Sequence, residues 1–368
     1  MTSVALPERP AISTPPGLQR PSVAAAQRRR LARQPALGFA GLLLVVPIAV
    51  ALAFAVDGPA RSLVVLGPLV GFSLVPTAAV AFWWQDWPGD AWYSGWLNTV
   101  FIAALGVGLT FLGQVVIGSF DPRGVFDPNP PPGASPTFPA ALPLAGAAFT
   151  AMLQFTLVCE GWPARRLPRL PAGVVAMAVA WGAALFVYYF ATGLAPPPGS
   201  GLRPRTGPLP AASLGALLAV TGVWQVWFYV TWRGWPFRRI GRRWLRLLVA
   251  NAVVVAGAWA SFTLVHRAVS APVITAGSGA LIAAGLVVSM LFENAVRPHV
   301  PARVDRGLSV AVIAALATAL FAVLTAYART VDFGRADPAD WVTHACLNAL
   351  AFSVILHVAV GRRWPFGD

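Results

Sequence analysis

TWRGWPFRRIGRRWLR, residues 231–246, ends an apolar run on Trp235-Pro236 and falls at once into Arg238, Arg239, Arg242, Arg243 and Arg246. The same pair closes apolar runs at Trp87-Pro88, Trp162-Pro163 and Trp364-Pro365. An indole is most stable where hydrocarbon meets polar headgroups, because its ring is apolar and its N–H needs a partner. Proline stops a helix, or opens the next one at a first turn where no N–H is missed. Arginines that follow stay in water or against phosphate. The stretch therefore predicts a membrane-surface turn between two spanning helices.

Composition agrees. The chain has 368 residues, is 57% hydrophobic and only 11% charged, with a mean hydropathy of +0.67. No water-soluble globule of that size covers itself with so little polar surface. All 27 basic residues are arginine and there is no lysine, which excludes a lysine Schiff base or a P-loop lysine in this chain. Abundant Arg, Ala, Gly and Pro point to a G+C-rich bacterial gene, hence a multi-pass protein of the bacterial cytoplasmic (inner) membrane. The formal charge of +14 does not imply nucleic acid, because the arginines lie in short loops between apolar runs rather than on one soluble face. Cys159 and Cys346 are too few for a disulfide framework and read as packing residues.

Ten runs have the roughly 20-residue length that spans a bilayer as helix. They cover approximately residues 36–56, 62–84, 96–118, 139–159, 171–193, 210–231, 246–265, 272–292, 308–328 and 340–360. Helices are required because backbone groups in hydrocarbon must pair within their own segment, and the runs lack the alternation of barrel strands. The expectation is an all-α, polytopic integral membrane bundle of about ten transmembrane helices. Residues 1–35 read as a disordered basic tail, 36–361 as the membrane domain and 362–368 as a short tail. The first run is longer than the roughly 7 to 15 residues of a signal-peptide core, so it counts as a helix.

With the N-terminus inside, 20 of the 27 arginines fall on the inner face, whereas acidic residues divide seven to six. That is the arginine-specific bias expected of cytoplasmic loops, and it places both termini in the cytoplasm. Every Trp-Pro then ends an even-numbered helix on the inner side, which indicates tandem two-helix repeats of 60 to 75 residues. LFENAVRPHVP, residues 291–301, fills the missing place, with Glu293 where Glu160 stands before Trp162. The Pro-rich outer loops 119–139 and 194–210 read as stiff spacers. Pro47, Pro76 and Pro143 fall within runs and are expected to kink helices. Ala276, Ala280 and Ala284, and likewise Ala311, Ala315 and Ala319, recur every four residues and mark close helix approaches.

No ionisable residue is expected at mid-membrane depth, which counts against proton-coupled or voltage-sensing chemistry. Asp57, Asp332, Asp337 and Asp340 read as outer-surface acids, Glu160 and Glu293 as acids of the cytoplasmic face. No Cys or His spacing suits a metal, and no cofactor is implied. Neutral polar residues remain as candidates for a substrate path: Asn98, Thr110, Gln114, Gln154, Gln225, Asn251, His266, His344 and Asn348. Thr110 with Gln114, and His344 with Asn348, share helix faces. The competing reading for each is an interhelical hydrogen bond.

The leading expectation is a permease or carrier for a small neutral, zwitterionic or lipid-soluble solute, with no enzymatic chemistry required. The alternatives are a non-transporting subunit or scaffold holding anionic lipid or an acidic partner on its Arg-rich face, and a lipid-modifying enzyme using Asp57, Glu160 or Glu293. A cytoplasmic ATPase or another membrane subunit would dock on the basic turns. A reporter active only in the cytoplasm, fused in turn to each chain end, is expected to work at both. Activity at one end alone would overturn the assignment of faces.

Overall fold

A computed structural model describes residues 29–84, 87–88, 94–293, 300–334 and 336–366. All ten apolar runs form helices: α1 Ala36–Phe54, α2 Pro59–Trp84, α3 Ser94–Ile117, α4 Leu142–Val158, α5 Arg169–Ala191, α6 Ala211–Thr231, α7 Arg243–Val265, α8 Ala271–Leu291, α9 Ala302–Ala328 and α10 Pro338–Val360. Among the described residues, nine are long and apolar enough to cross a membrane; α4 is shorter. Its run was expected to be helical from residue 139, with Pro143 as a mid-span kink. Instead the helix begins at Leu142 and Pro143 occupies its first turn, where proline's missing N–H costs nothing. Pro47 lies inside α1, and Pro68 and Pro76 inside α2.

The helices are arranged in two layers. The even-numbered helices form an inner ring, in which α2 packs on α4, α4 on α6, α6 on α8, α8 on α10, and α10 returns to α2. Each odd-numbered helix lies outside the ring against the even helix that precedes it, α3 on α2, α5 on α4, α7 on α6 and α9 on α8, while α1 closes the circle on α10. Outer glycines form notches for inner aromatic side chains. A Cβ at Gly113 of α3 would lie 2.4 Å from the Phe72 ring, and Phe72 stacks on Trp181 of α5 at 5.6 Å. A Cβ at Gly173 of α5 would lie 2.1 Å from the Trp84 Nε1, which donates to the Leu170 carbonyl at 3.1 Å. In lipid, such close packing replaces the hydrophobic drive between helices.

The alanine stripes divide. Ala276, Ala280 and Ala284 are buried, as expected. Ala311, Ala315 and Ala319 are exposed, and α9 packs instead through Ser309, Ile313 and Ala317. Two residues of offset turn a helix by about 200°, so the two stripes lie on nearly opposite faces.

The inner helices end alike. Each finishes in a widened turn of π-helical geometry, over Val80–Trp84, Gln154–Val158, Val226–Thr231, Val287–Leu291 and Leu356–Val360. After α4, the Cys159 N–H reaches the Gln154 carbonyl at 2.9 Å and the Gly161 N–H reaches Phe155 at 2.8 Å. After α6, Trp232 bonds Trp227 at 2.9 Å and Gly234 bonds Phe228 at 2.7 Å, the same pattern 73 residues on. Glu160, Arg233, Glu293 and Arg362 all take left-handed backbone, φ 54, 52, 51 and 49°. The helix therefore stops at this closure, which satisfies its last carbonyls and reverses the chain. Proline comes later: Pro163 and Pro236 follow cis bonds and precede the short turns Ala164–Arg166 and Phe237–Arg239.

Residues 29–35, expected to finish a disordered tail, are ordered. Arg33 donates to the Phe366 carbonyl at 2.9 Å, so the two described ends meet on the Trp-Pro face. Residues 1–28 of the expected tail, Asn294 through His299 of the fourth turn, and residues 367–368 lie outside the described residues. On the opposite face the long loops are folded together rather than free. Ser135 Oγ donates to Gly201 at 3.0 Å, and Gly133 N–H to Gly199 at 2.8 Å. β1 Thr192–Leu194 pairs with β2 Arg205–Thr206 and β3 Leu209–Pro210.

Gly113→Val is expected to lower stability by about 1–3 kcal/mol through overpacking against Phe72. Gly108→Val, on the same helix with open space at its Cβ, is the control. Thermal denaturation in detergent checks both, and equal melting shifts would contradict the notch.

Candidate functional site

The ring encloses a cavity of about 450 Å³ whose wall draws on all five inner helices. Space is left by small residues, among them Gly67 and Gly71 of α2, Gly146 of α4, and Gly215 and Gly222 of α6. Leu74, Leu153, Leu218, Ile282, Leu286 and Leu347 supply much of the surface. The wall runs from Phe82, Leu157, Val230 and Met290 near the Trp-Pro face to Pro139, Leu194, Ala212 and Asp340 near the other.

Polar groups gather at that second end. Asp340, Thr343, His344 and Asn348 of α10 line the cavity with Thr275 of α8. Their internal bonds are specific. His344 Nε2 lies 3.2 Å from the Leu52 carbonyl, which only accepts, so Nε2 carries the proton and Nδ1 is the acceptor of the neutral ring. Asn348 Nδ2 donates to the Gly67 carbonyl at 3.1 Å and faces His344 Nδ1 at 3.4 Å. Thr275 and Thr343 donate to Ala271 and Ala339 one turn back, at 2.9 and 3.0 Å.

Of the nine expected path residues, the structure places His344 and Asn348 in this wall. The others lie elsewhere. Gln225 Nε2 donates to Gln154 Oε1 at 2.7 Å and to the Thr150 carbonyl at 3.1 Å, and Gln154 Nε2 donates to Asn251 Oδ1 at 2.8 Å. These three tie α4, α6 and α7 together, and Cys159 joins through a 3.5 Å contact with Asn251; burial pushes its thiol pKa up, against the pull of that bond. Gln114 accepts the Asp121 N–H and donates to the Asp121 and Ser135 carbonyls, pinning the outer loop. The hydrogen bond and charge of Arg123 hold the Asp121 carboxyl below its ordinary pKa. Thr110 bonds Gly106 within α3, Asn98 is buried on the same helix, and His266 is exposed, stacked on Phe262. His266 and His344 are therefore not brought together.

Asp340 was missed as a wall residue because it opens the tenth run and read as a surface acid. It continues the His344–Asn348 face one turn toward the helix start, at spacing i, i+4, i+8. Asp57 is exposed and paired with Arg61.

The acids of the Trp-Pro face are ion-paired. Arg246 grips both Glu160 oxygens, at 2.7 and 3.1 Å, and Arg243 stands at 3.4 Å. Arg165, Arg238, Arg243, Arg246, Glu160 and Tyr229 line a cleft of about 320 Å³. Arg165 and Arg238 have no acidic partner among the described residues. Glu293 pairs with the buried Arg363 at 2.7 Å, whose pKa burial lowers, with Glu293 opposing. Arg363 also donates to the Leu291 carbonyl at 2.9 Å and to Met290. The turn indoles differ: Trp162 and Trp364 are exposed, whereas Trp235 lies 4.3 Å beneath Arg306 with its N–H unpartnered. Among the described residues no three His, Cys, Asp or Glu side chains are grouped to hold a metal ion. Set against known protein families, curated proteins and solved structures, the chain matches none of them.

Proposed function

We propose that this is a carrier-type protein of a bacterial cytoplasmic membrane that takes a lipid-soluble molecule into the centre of its helix ring. The observation that carries the reading is the cavity of about 450 Å³, apolar along its length and polar at one end, walled by every inner helix. A pocket of that kind holds an apolar body and fixes its orientation through a few polar groups. In this reading the Trp-Pro face is cytoplasmic, both chain ends lie there, and the ten helices are spans built from five tandem two-helix units. The recurring π-helical ends and left-handed turn residues support the repeat. The arginine bias supports the orientation.

A second reading is favoured by the arginine cleft. With Arg165 and Arg238 free of acidic partners beside interfacial tryptophans, that face would hold the phosphate of an anionic lipid, as a membrane subunit or scaffold does.

Gly215 lines the cavity with open space at its Cβ, so Gly215→Trp is expected to fill it without disturbing the fold. Mass spectrometry of protein released from lipid nanodiscs should then show bound apolar molecules reduced about tenfold or more, with unchanged melting. Full occupancy in the variant would refute the carrier reading. Arg165→Gln with Arg238→Gln is expected to strip retained anionic phospholipid and leave the cavity occupant in place; unchanged phospholipid content would refute the second reading.

A further inference from the structure

We infer that the ligand of the central cavity carries a hydrogen-bond donor on its polar end, and that a protonated amine is the group best matched. The inference rests on the carrier reading and on a count of what the wall has left to offer. Asparagine has two donor hydrogens, and both from Asn348 point to fixed partners, the Gly67 carbonyl and His344 Nδ1. The one proton of neutral His344 goes to Leu52. Each threonine in the wall has a single hydroxyl proton, and Thr77, Thr150, Thr275 and Thr343 all direct it at backbone carbonyls. No side-chain donor in the wall is left over.

The acceptors are different. Asn348 Oδ1 has no hydrogen-bond donor among the described residues, and the Asp340 carboxylate is met only by the Asp337 backbone N–H, which leaves it acceptor capacity; both residues line the cavity. A carboxylate or phosphate entering there would meet only acceptors among the side chains and leave water poorly compensated. An ammonium supplies up to three donors and a charge opposite to that of Asp340. A hydroxyl supplies one donor and no charge. A cation with no N–H or O–H would satisfy the charge only.

The test uses the full chain in nanodiscs with dodecylamine, dodecanol and dodecanoate at neutral pH, partitioning into empty nanodiscs being subtracted. Binding is expected in the order amine, alcohol, carboxylate, with the amine about tenfold or more above the carboxylate. Asp340→Asn should bring the amine down to the level of the alcohol, which is retained. Asp57→Asn, an exposed acid paired to Arg61, should leave the order unchanged. Carboxylate binding equal to amine, or an amine preference that survives Asp340→Asn, overturns the inference while the cavity reading stands. Binding of all three probes that is indifferent to Gly215→Trp, or no binding at all, brings down both.

Discussion

The architecture depends on how the inner helices satisfy their last backbone carbonyls, because an unpaired carbonyl at the edge of hydrocarbon costs as much as a lost hydrogen bond. After α4 and α6 the chain does this alone, folding back through bonds five and six residues long and a left-handed residue. At α8 the same turn is reinforced from outside. Gln34 donates to Leu291 at 3.2 Å, and Arg363 reaches both Leu291 and Met290. The segments before α1 and after α10 are thus anchored on the end of α8, and the circle of helices closes there.

Closure decides the interior. Five helices in a ring leave a central gap unless large side chains fill it, and here three of the large aromatics fit into glycine notches of the outer helices. Phe72 and Trp84 of α2 fit against Gly113 and Gly173, and Trp224 of α6 meets Gly257 in the same way. With Gly67, Gly71, Gly146 and Gly215 facing inward, the centre stays open. The cavity is therefore a consequence of where bulk was placed rather than of a separate domain.

Polarity is divided by location. On the Trp-Pro face, guanidinium groups outnumber the carboxylates they meet, which suits anionic headgroups. At the opposite end of the cavity the balance is reversed: α10 presents a carboxylate and an amide oxygen while its N–H and O–H groups are bound elsewhere. Between the two the wall is mainly apolar, and the hydroxyls of Thr77 and Thr150 within it are bonded to backbone carbonyls. Gln154, Gln225 and Asn251, the most polar trio within the membrane runs, serve to clamp α4, α6 and α7.

The sequence by itself determined the helices and their turns, because both are written in local chemistry: apolar length, Trp-Pro pairs and the arginines after them. It also marked Glu160 and Glu293 as equivalent, and both take the same left-handed backbone. It could not say which helices form the ring, since apolar runs carry no strong amphipathic stripe when both lipid and protein neighbours are apolar. For the same reason Ala311, Ala315 and Ala319 were indistinguishable from the packed alanines of α8. The cavity, the membership of Asp340 in its wall and the fate of each hydrogen-bond donor depend on partners hundreds of residues apart, such as Leu52 and His344. Only the tertiary structure decided those, because a polar side chain has the same identity in a sequence whether its proton is spent or free.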